Sequence, residues 1–197
     1  MKPRKLILVV VEGETEECYF ALFKKKFKVH GLQVECELAE HPTPDAVIKS
    51  AMKAKAPRKL EYDERWIVYD ADVSVQHGSL MQEVEQAIMG GLLCAITNPC
   101  SEYWLLLHHE CCTASFNSSD HCVKRLKARD AAYRKGTPDV LKSYMDEGKI
   151  KMAISHAERS WQNHHYARSK GPHPHPSTTV HLLIEAILRE RERDGQE

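Results

Sequence analysis

The sequence predicts an α/β domain with a central, mainly parallel sheet, followed by a helical C-terminal section. Residues 5–98 alternate between short apolar runs and amphipathic stretches in the order β-α-β-α-β-α-β, as crossover-connected parallel strands do. After Asn98-Pro99 the branched apolar runs stop, and most of the remaining residues have helical spacing. We therefore predict an α/β core in residues 1–112 and a helical extension in residues 113–197, packed together as one unit.

The first half of the chain contains four predicted strands and three predicted helices. The run at 5–11 is continuous and branched, which is typical of a strand buried on both faces. Residues 14–23 begin with an acidic turn and lead into lysines, which suits the two ends of a helix dipole. Further strands are predicted at 32–39, 65–70 and 92–97, and further helices at 45–55 and 79–89.

The second half contains predicted helices at 101–112, 121–133, 138–148, 149–165 and 177–193. Asn98 is expected to cap the first of these helices, with Pro99 in its first position. The densest basic stretch of the chain also lies here, and its cations are Lys124, Arg125, Lys127, Arg129, Arg134 and Lys135. Such a stretch is typical of a solvated helix face, or of a surface that contacts nucleic-acid phosphates without reading sequence.

Composition places the chain among ordinary globular proteins. Its 28 basic and 28 acidic residues cancel, whereas a sequence-blind nucleic-acid binder is usually basic overall. Any surface for nucleic acid must therefore arise from local segregation of charge. Seven cysteines without a C-x-x-C pair, and no secretory signal pattern, predict reduced thiols in the cytoplasm. The longest apolar runs are too short for a membrane span, so no membrane contact is expected.

Acidic residues end two of the predicted strands. Glu12 follows the first strand, and Asp70-Ala-Asp72 ends the third. Ligands of an open parallel sheet bind beyond the carboxyl ends of its strands, and Glu16 leans back from the next helix toward the same edge. Oxygen ligands of this kind suit Mg²⁺ or Mn²⁺, which support phosphoryl chemistry. The alternative is that each acid merely forms a turn or caps a helix.

Two further side chains are candidates for the same edge. Glu102 falls in the first turn of the helix after the fourth strand, where it either stabilises the helix dipole or adds a ligand. Lys170, in a loop rich in Gly, Pro and His, is either a solvated lysine or a cation for the phosphate. The twelve histidines match no structural zinc spacing, so we do not expect zinc.

Several segments of the chain resemble known families. Three segments resemble the RloB family, namely Glu12-Gly-Glu-Thr-Glu-Glu-Cys-Tyr-Phe20, Asn98-Pro-Cys-Ser-Glu-Tyr-Trp-Leu-Leu-Leu-His108 and Pro176-Ser-Thr-Thr-Val-His-Leu-Leu183. Two shorter segments, Val10-Val-Glu-Gly13 and Val68-Tyr-Asp-Ala-Asp-Val73, resemble the Toprim domain. That domain occurs in topoisomerases, primases and OLD-family nucleases.

These resemblances imply a Toprim-like Rossmannoid fold with helical additions, in a prokaryotic antiviral-defence or abortive-infection setting. By this likeness Glu12 corresponds to the Toprim glutamate, Asp70 and Asp72 to its D-x-D pair, and Glu16 to the second acid of OLD-type nucleases. The expected function is Mg²⁺- or Mn²⁺-dependent hydrolysis of phosphodiester bonds in DNA or RNA. The expected metal ligands are Glu12, Glu16, Asp70 and Asp72.

Two other functions stay open at this point. One is a non-catalytic subunit that binds a metal or nucleotide and acts through a partner ATPase or another subunit of a defence complex. The other is a HAD-type phosphatase, in which Asp70 attacks phosphorus and Asp72 serves as acid and base. The HAD motif normally ends the first strand, whereas here it ends the third, so this alternative is the weaker. The oligomeric state is not predicted.

Overall fold

The structure is a computed structural model that describes residues 5–28, 32–57, 60–71, 80–165 and 176–194. Its strands are β1 (Lys5–Val11), β2 (Leu32–Leu38), β3 (Glu64–Asp70), β4 (Leu93–Asn98) and β5 (Ser177–Thr178). Its helices are α1 (Glu14–Lys26), α2 (Pro44–Lys53), α3 (Leu80–Met89), α4 (Glu102–Leu106), α5 (Ser119–Arg129), α6 (Pro138–Leu141), α7 (Glu147–His165) and α8 (Val180–Asp194), and a 3₁₀ turn spans Lys142–Tyr144.

Within the described residues, the five strands form one sheet in the order β2-β1-β3-β4-β5. β1 pairs in parallel with β2 and β3, β3 pairs in parallel with β4, and β5 is antiparallel to β4. The predicted α/β class with a mainly parallel sheet is confirmed. Because β1, β3 and β4 are parallel neighbours, the segments that follow them leave the sheet at the same edge.

The two faces of the sheet carry separate hydrophobic clusters, because alternate residues of a strand point to opposite sides. Ile7 and Val9 of β1 belong to a cluster with residues of α1, α4, α5, α7 and α8. Leu8 and Val10 belong to a second cluster with residues of α2 and α3, so α1 and α2 lie on opposite faces. The larger cluster draws residues from both sides of the predicted boundary after residue 112, which itself stays a prediction.

A short strand, β5, lies where the sequence predicted only helix. Ser177 and Thr178 pair with Asn98 and Thr97 of β4, and the hydroxyl oxygens of Thr97 and Thr178 are 2.9 Å apart. The predicted helix start at residue 177 is therefore wrong, and α8 begins at Val180. A strand of two residues is too short to show an alternating pattern, so its pairing partner alone identifies it.

The helix predicted at 101–112 is also shorter in the structure, where α4 has five residues. The His108 amide donates to Leu105 O, three residues back, while its ring Nδ1 donates to Trp104 O at 3.0 Å. Trp104 O is the carbonyl that this amide would use in a longer α-helix. Burial lowers the pKa of His108 to about 3, so the neutral ring accepts at Nε2 from the Tyr19 hydroxyl.

Two other helix predictions are corrected as well. The segment 138–148 contains α6 and the 3₁₀ turn, and α7 starts near Asp146, whose Oδ1 accepts from the Lys149 amide at 3.0 Å. Ser101, not Asn98, occupies the N-cap position of α4, and the Asn98-Pro99 peptide bond before it is cis. Among the described helices, none combines the length and the apolar character needed to cross a lipid bilayer.

Candidate active site

Four acidic residues lie at the edge where β1, β3 and β4 end. Glu12 directly follows β1, Glu16 is in the first turn of α1, Asp70 ends β3, and Glu102 starts α4 just after β4. We call these four residues the acid edge. Two other predicted site residues, Asp72 and Lys170, lie outside the described residues.

Glu12 and Asp70 are joined through the backbone. The Asp70 amide donates to Glu12 Oε2 at 3.0 Å, and the Glu12 amide donates to Val68 O at 3.1 Å. The Glu12 side chain therefore bridges the ends of β1 and β3 and fixes the backbone position from which the Asp70 carboxylate projects. Both residues are half-buried, so they are partly open to solvent.

Glu16 folds back from α1 toward the end of β1. Its side chain lies over Gly13, where an added Cβ would come within 3.0 Å of Glu16 Oε2. Burial raises the pKa of Glu16, and the charge of Glu102 raises it further. The Glu16 backbone amide, Lys135 and the Ser101 hydroxyl act in the opposite direction without cancelling the rise. The carboxylate of Glu16 is thus held close to like charge in a poorly solvated position.

The segment 130–137, which follows α5, covers the acid edge, and we call it the cover segment. Its Tyr133 hydroxyl donates to Glu102 Oε1 at 2.9 Å, and only 1% of Glu102 is exposed. The Gly136 amide donates to Thr15 Oγ1 at 3.0 Å. Gly136 has φ +65°, a conformation that favours glycine, so this tight return of the chain suits the residue. The cover segment is therefore tied to the starts of both α1 and α4.

Lys135 lies between these two anchored residues of the cover segment. Partial burial by itself lowers the pKa of Lys135, but the carboxylates of Glu102, Asp70 and Glu16 raise it above its usual value. Its charge therefore compensates the acid edge directly. The sequence grouped Lys135 with a basic surface, whereas in the structure its charge acts on Glu102, Asp70 and Glu16.

A cavity of about 20 Å³ lies beneath this arrangement, large enough for about one water molecule. Its polar lining residues are Thr15, Glu16, Asp70, Thr97 and Ser101. Glu16 and Asp70 thus both line one small cavity, whose other lining residues include the apolar side chains of Phe20, Val68 and Leu105.

Comparison with known protein families identifies the family of this chain. The family model described as RloB-like protein matches residues 7–187. The chain belongs to the RloB-like family. None of the curated proteins and none of the solved structures matches it. The predicted family is confirmed, and the matched span includes the whole acid edge and cover segment of this RloB-like chain. The Toprim relation stays a prediction.

The metal prediction for this RloB-like protein depends on Asp72. In the described ranges, no group of three or more His, Cys, Asp or Glu side chains is arranged to hold a metal ion. Glu12, Glu16 and Asp70 offer carboxylate oxygens at one edge, and oxygen donors are what Mg²⁺ and Mn²⁺ prefer. The donor chemistry therefore fits a divalent cation, and a complete ligand set requires a contribution from beyond these three residues.

The residues of the basic stretch of the RloB-like chain differ in the partners that they have in the structure. Arg125 and Arg129 each donate from Nε to Glu110, in both cases at 2.6 Å. Arg134 Nη1 donates to the backbone carbonyls of Ala131 and Tyr133, and the two lysines of α5, Lys124 and Lys127, are exposed. The phosphate-binding surface at these residues stays a prediction, and two of its arginines already have a carboxylate partner.

Tyr133 and Thr15 are site residues that the sequence did not reveal. Tyr133 and Glu102 are 31 residues apart along the chain, and Gly136 and Thr15 are 121 apart. No local pattern connects positions so distant from one another. The aromatic residue at 133, within a basic stretch, was the one available hint of something other than a solvated helix.

Proposed function

We propose that this RloB-like protein is a Mg²⁺-dependent nuclease that hydrolyses phosphodiester bonds of DNA or RNA at the acid edge. The observation that supports it is the placement of Glu12, Glu16, Asp70 and Glu102 at the edge where three parallel strands end. Carboxylates gathered in a partly buried place repel one another, and a bound cation relieves that repulsion. The raised pKa of Glu16, which burial and Glu102 cause, agrees with such repulsion.

Glu12, Glu16, Asp70 and Asp72 are the proposed metal ligands. When bound, the divalent cation supplies Lewis-acid stabilisation of the charge that develops on the phosphate. Glu12 keeps the end of β3 in place through its bond to the Asp70 amide. Asp70 is half-exposed at that strand end, so substrate can approach its carboxylate.

Lys135 is proposed to bind a phosphate oxygen of the substrate. It is an exposed residue whose charge acts on Asp70, Glu16 and Glu102, so it can interact with substrate without leaving the acid edge. A positive charge placed in advance of the reaction stabilises the transition state at little reorganisation cost. Tyr133 positions Glu102 rather than substrate, because its hydroxyl donates to that buried carboxylate.

The cellular setting is part of the proposal. All seven cysteines are free thiols, which agrees with action in the cytoplasm. A role in antiviral defence, with a nucleic-acid substrate and a partner ATPase or another defence subunit, rests on the resemblance to RloB proteins.

The test is cleavage of single- and double-stranded DNA and RNA by purified protein with Mg²⁺, with Mn²⁺ or with EDTA. We expect cleavage with a divalent metal only. Asp70→Asn should lower the rate by about 1,000-fold, or about 4 kcal/mol of transition-state stabilisation. The matched control is Asp45→Asn on α2, an exposed acid on the opposite face of the sheet. Equal cleavage by both variants, or cleavage that EDTA does not stop, would reject the proposal.

A second candidate is the non-catalytic regulatory subunit. The observation that favours it is Lys135, because the chain's own cation already compensates the acid edge. This candidate predicts binding of nucleotide or of a partner ATPase, with no hydrolysis of nucleic acid under any divalent metal. Binding assays run beside the cleavage assay separate the two functions.

A further inference from the structure

A cluster of exposed lysines lies where the end of α1 meets residues 142–146. We call it the lysine surface, and its members are Lys24, Lys25, Lys26, Lys28 and Lys142. Two grooves of about 600 and 590 Å³ are lined by these residues, and Lys25 lines both of them. The lysine surface therefore extends continuously across two grooves on one side of the molecule.

The partner that fits this surface is recognised by charge. Phe20, Phe23 and Phe27 lie beneath the first groove, but they are only 1–4% exposed and cannot stack on an incoming ring. The charged groups that line this groove are the side chains of Lys24, Lys25 and Lys28. Ammonium groups without stacking aromatics bind phosphates and do not read bases.

The lysines at the end of α1 and just after it are not in ion pairs, in contrast to the arginines of α5. Among the described residues, Lys24, Lys25, Lys26 and Lys28 form no ion pair, whereas Glu110 engages two cations of α5.

Acids are present beside the lysine surface, but two of the three are already in ion pairs. Asp146 lines the second groove, Glu147 pairs with Arg191 at 2.9 Å, and Asp139 pairs with Lys142 at 2.6 Å. These exposed pairs are weak, so they do not prevent Lys142 from contacting a phosphate.

Helix α1 connects the lysine surface with the acid edge. Its 13 residues rise about 18 Å at about 1.5 Å per residue, which matches about five phosphates along one strand of B-form DNA. Glu17, Ala21 and Lys25 follow one another four residues apart along α1, and each is half-buried or exposed. Exposed Lys28 lies just beyond the end of the helix. One open face of α1 therefore leads from the acids to the lysines.

We propose that the lysine surface binds the backbone phosphates of a nucleic-acid strand whose scissile bond lies at the acid edge. This inference rests on the proposed nuclease function, which supplies the reason for a polyanion to occupy both ends of α1. Binding is independent of sequence and depends on salt, because it comes from phosphate contacts alone. The sequence had instead assigned phosphate contacts to α5 and the cover segment.

The test is binding of fluorescently labelled single-stranded DNA and RNA oligonucleotides, followed by anisotropy in EDTA so that cleavage cannot interfere. The variant Lys24→Glu/Lys25→Glu/Lys28→Glu should bind at least about tenfold more weakly than wild type. The slope of log affinity against log salt should fall by about 2, from three lost phosphate contacts at about 0.7 each. A Lys→Gln version of the triple variant should show the same direction with a smaller loss.

The matched control is Lys49→Glu/Lys53→Glu/Lys55→Glu, three exposed lysines on α2 and just after it, on the opposite face of the sheet. Equal binding by the control and lysine-surface variants, or no binding by wild type, would overturn the inference. So would wild-type binding to phosphatidylserine vesicles without binding to oligonucleotides. Loss of binding in the lysine-surface variant together with no metal-dependent cleavage by wild type would reject the nuclease and retain the surface.

Discussion

Glu110 and Glu102 are both held by residues of the basic stretch, but in opposite ways. Glu110 is bound by two guanidinium groups, those of Arg125 and Arg129, and its side chain is 16% exposed. Glu102 is 1% exposed and accepts a hydrogen bond from the neutral Tyr133 hydroxyl. Two guanidinium groups neutralise a carboxylate, whereas a hydroxyl orients it without neutralising it. The α5 half of the stretch thus neutralises one carboxylate away from the acid edge, whereas the cover segment orients Glu102 through Tyr133 and contributes the charge of Lys135 to the acid edge.

The largest effect that separates these regions is expected from Lys135→Ala. Under the proposed function, cleavage by this variant should fall by about 100-fold in kcat/KM, since it loses a cation aimed at the phosphate. Its free energy of unfolding should fall by no more than about 1 kcal/mol, because Lys135 is exposed and solvent screens its attraction to the acid edge. Lys127→Ala, also exposed but on α5, is the matched control and should retain activity. Equal loss in both variants would remove the distinction between the two regions.

An intermediate effect is expected from Tyr133→Phe. The variant leaves a carboxylate oxygen of Glu102 without its donor in a buried place, which should cost about 1–3 kcal/mol of unfolding free energy. Tyr144→Phe is the control, since Tyr144 donates to Asp130 Oδ2 at 2.8 Å and Asp130 is half-exposed, so water can replace the hydroxyl. Urea unfolding followed by circular dichroism measures both variants. A larger loss in Tyr144→Phe would contradict the role given to Glu102.

The smallest effect is expected from Arg125→Ala/Arg129→Ala. Partial burial by itself raises the pKa of Glu110, but its hydrogen bonds to Arg125 and Arg129 lower it overall. Because the pKa of Glu110 is lower in the folded state, its ionised carboxylate stabilises the fold at pH values above its ordinary pKa of 4.5. This stabilisation is lost as the pH falls through the lower pKa of the folded state. We therefore expect wild type to exceed the variant by about 1 kcal/mol at pH 7, because the arginines are substantially exposed.

This difference should vanish as the pH falls well below 4.5, and thermal unfolding at low salt across that range measures it. Cleavage should be unchanged at neutral pH. A stability difference that is the same at every pH would show that the arginines act through packing and not through the charge of Glu110.

Local patterns in the chain were enough to predict the sheet and the acids at its edge. The run Leu6–Val11 is buried on both sides of β1, and such burial requires the continuous apolar residues that the sequence shows. Glu12 and Asp70 interrupt their apolar runs, so their places at the strand ends followed directly. Parallel pairing of β1 with β3 then brings them to the same edge, because crossover connections return each strand in the same direction.

Long-range contacts alone established what surrounds those acids. The cover segment reaches Glu102 and Thr15 from 31 and 121 residues away, and β5 exists because β4 offers it a free edge. A run of basic residues in the sequence likewise does not show whether each side chain is exposed to solvent or paired with a carboxylate. That depends on which side chains other elements place beside it, and no nearest-neighbour pattern in a chain contains this information.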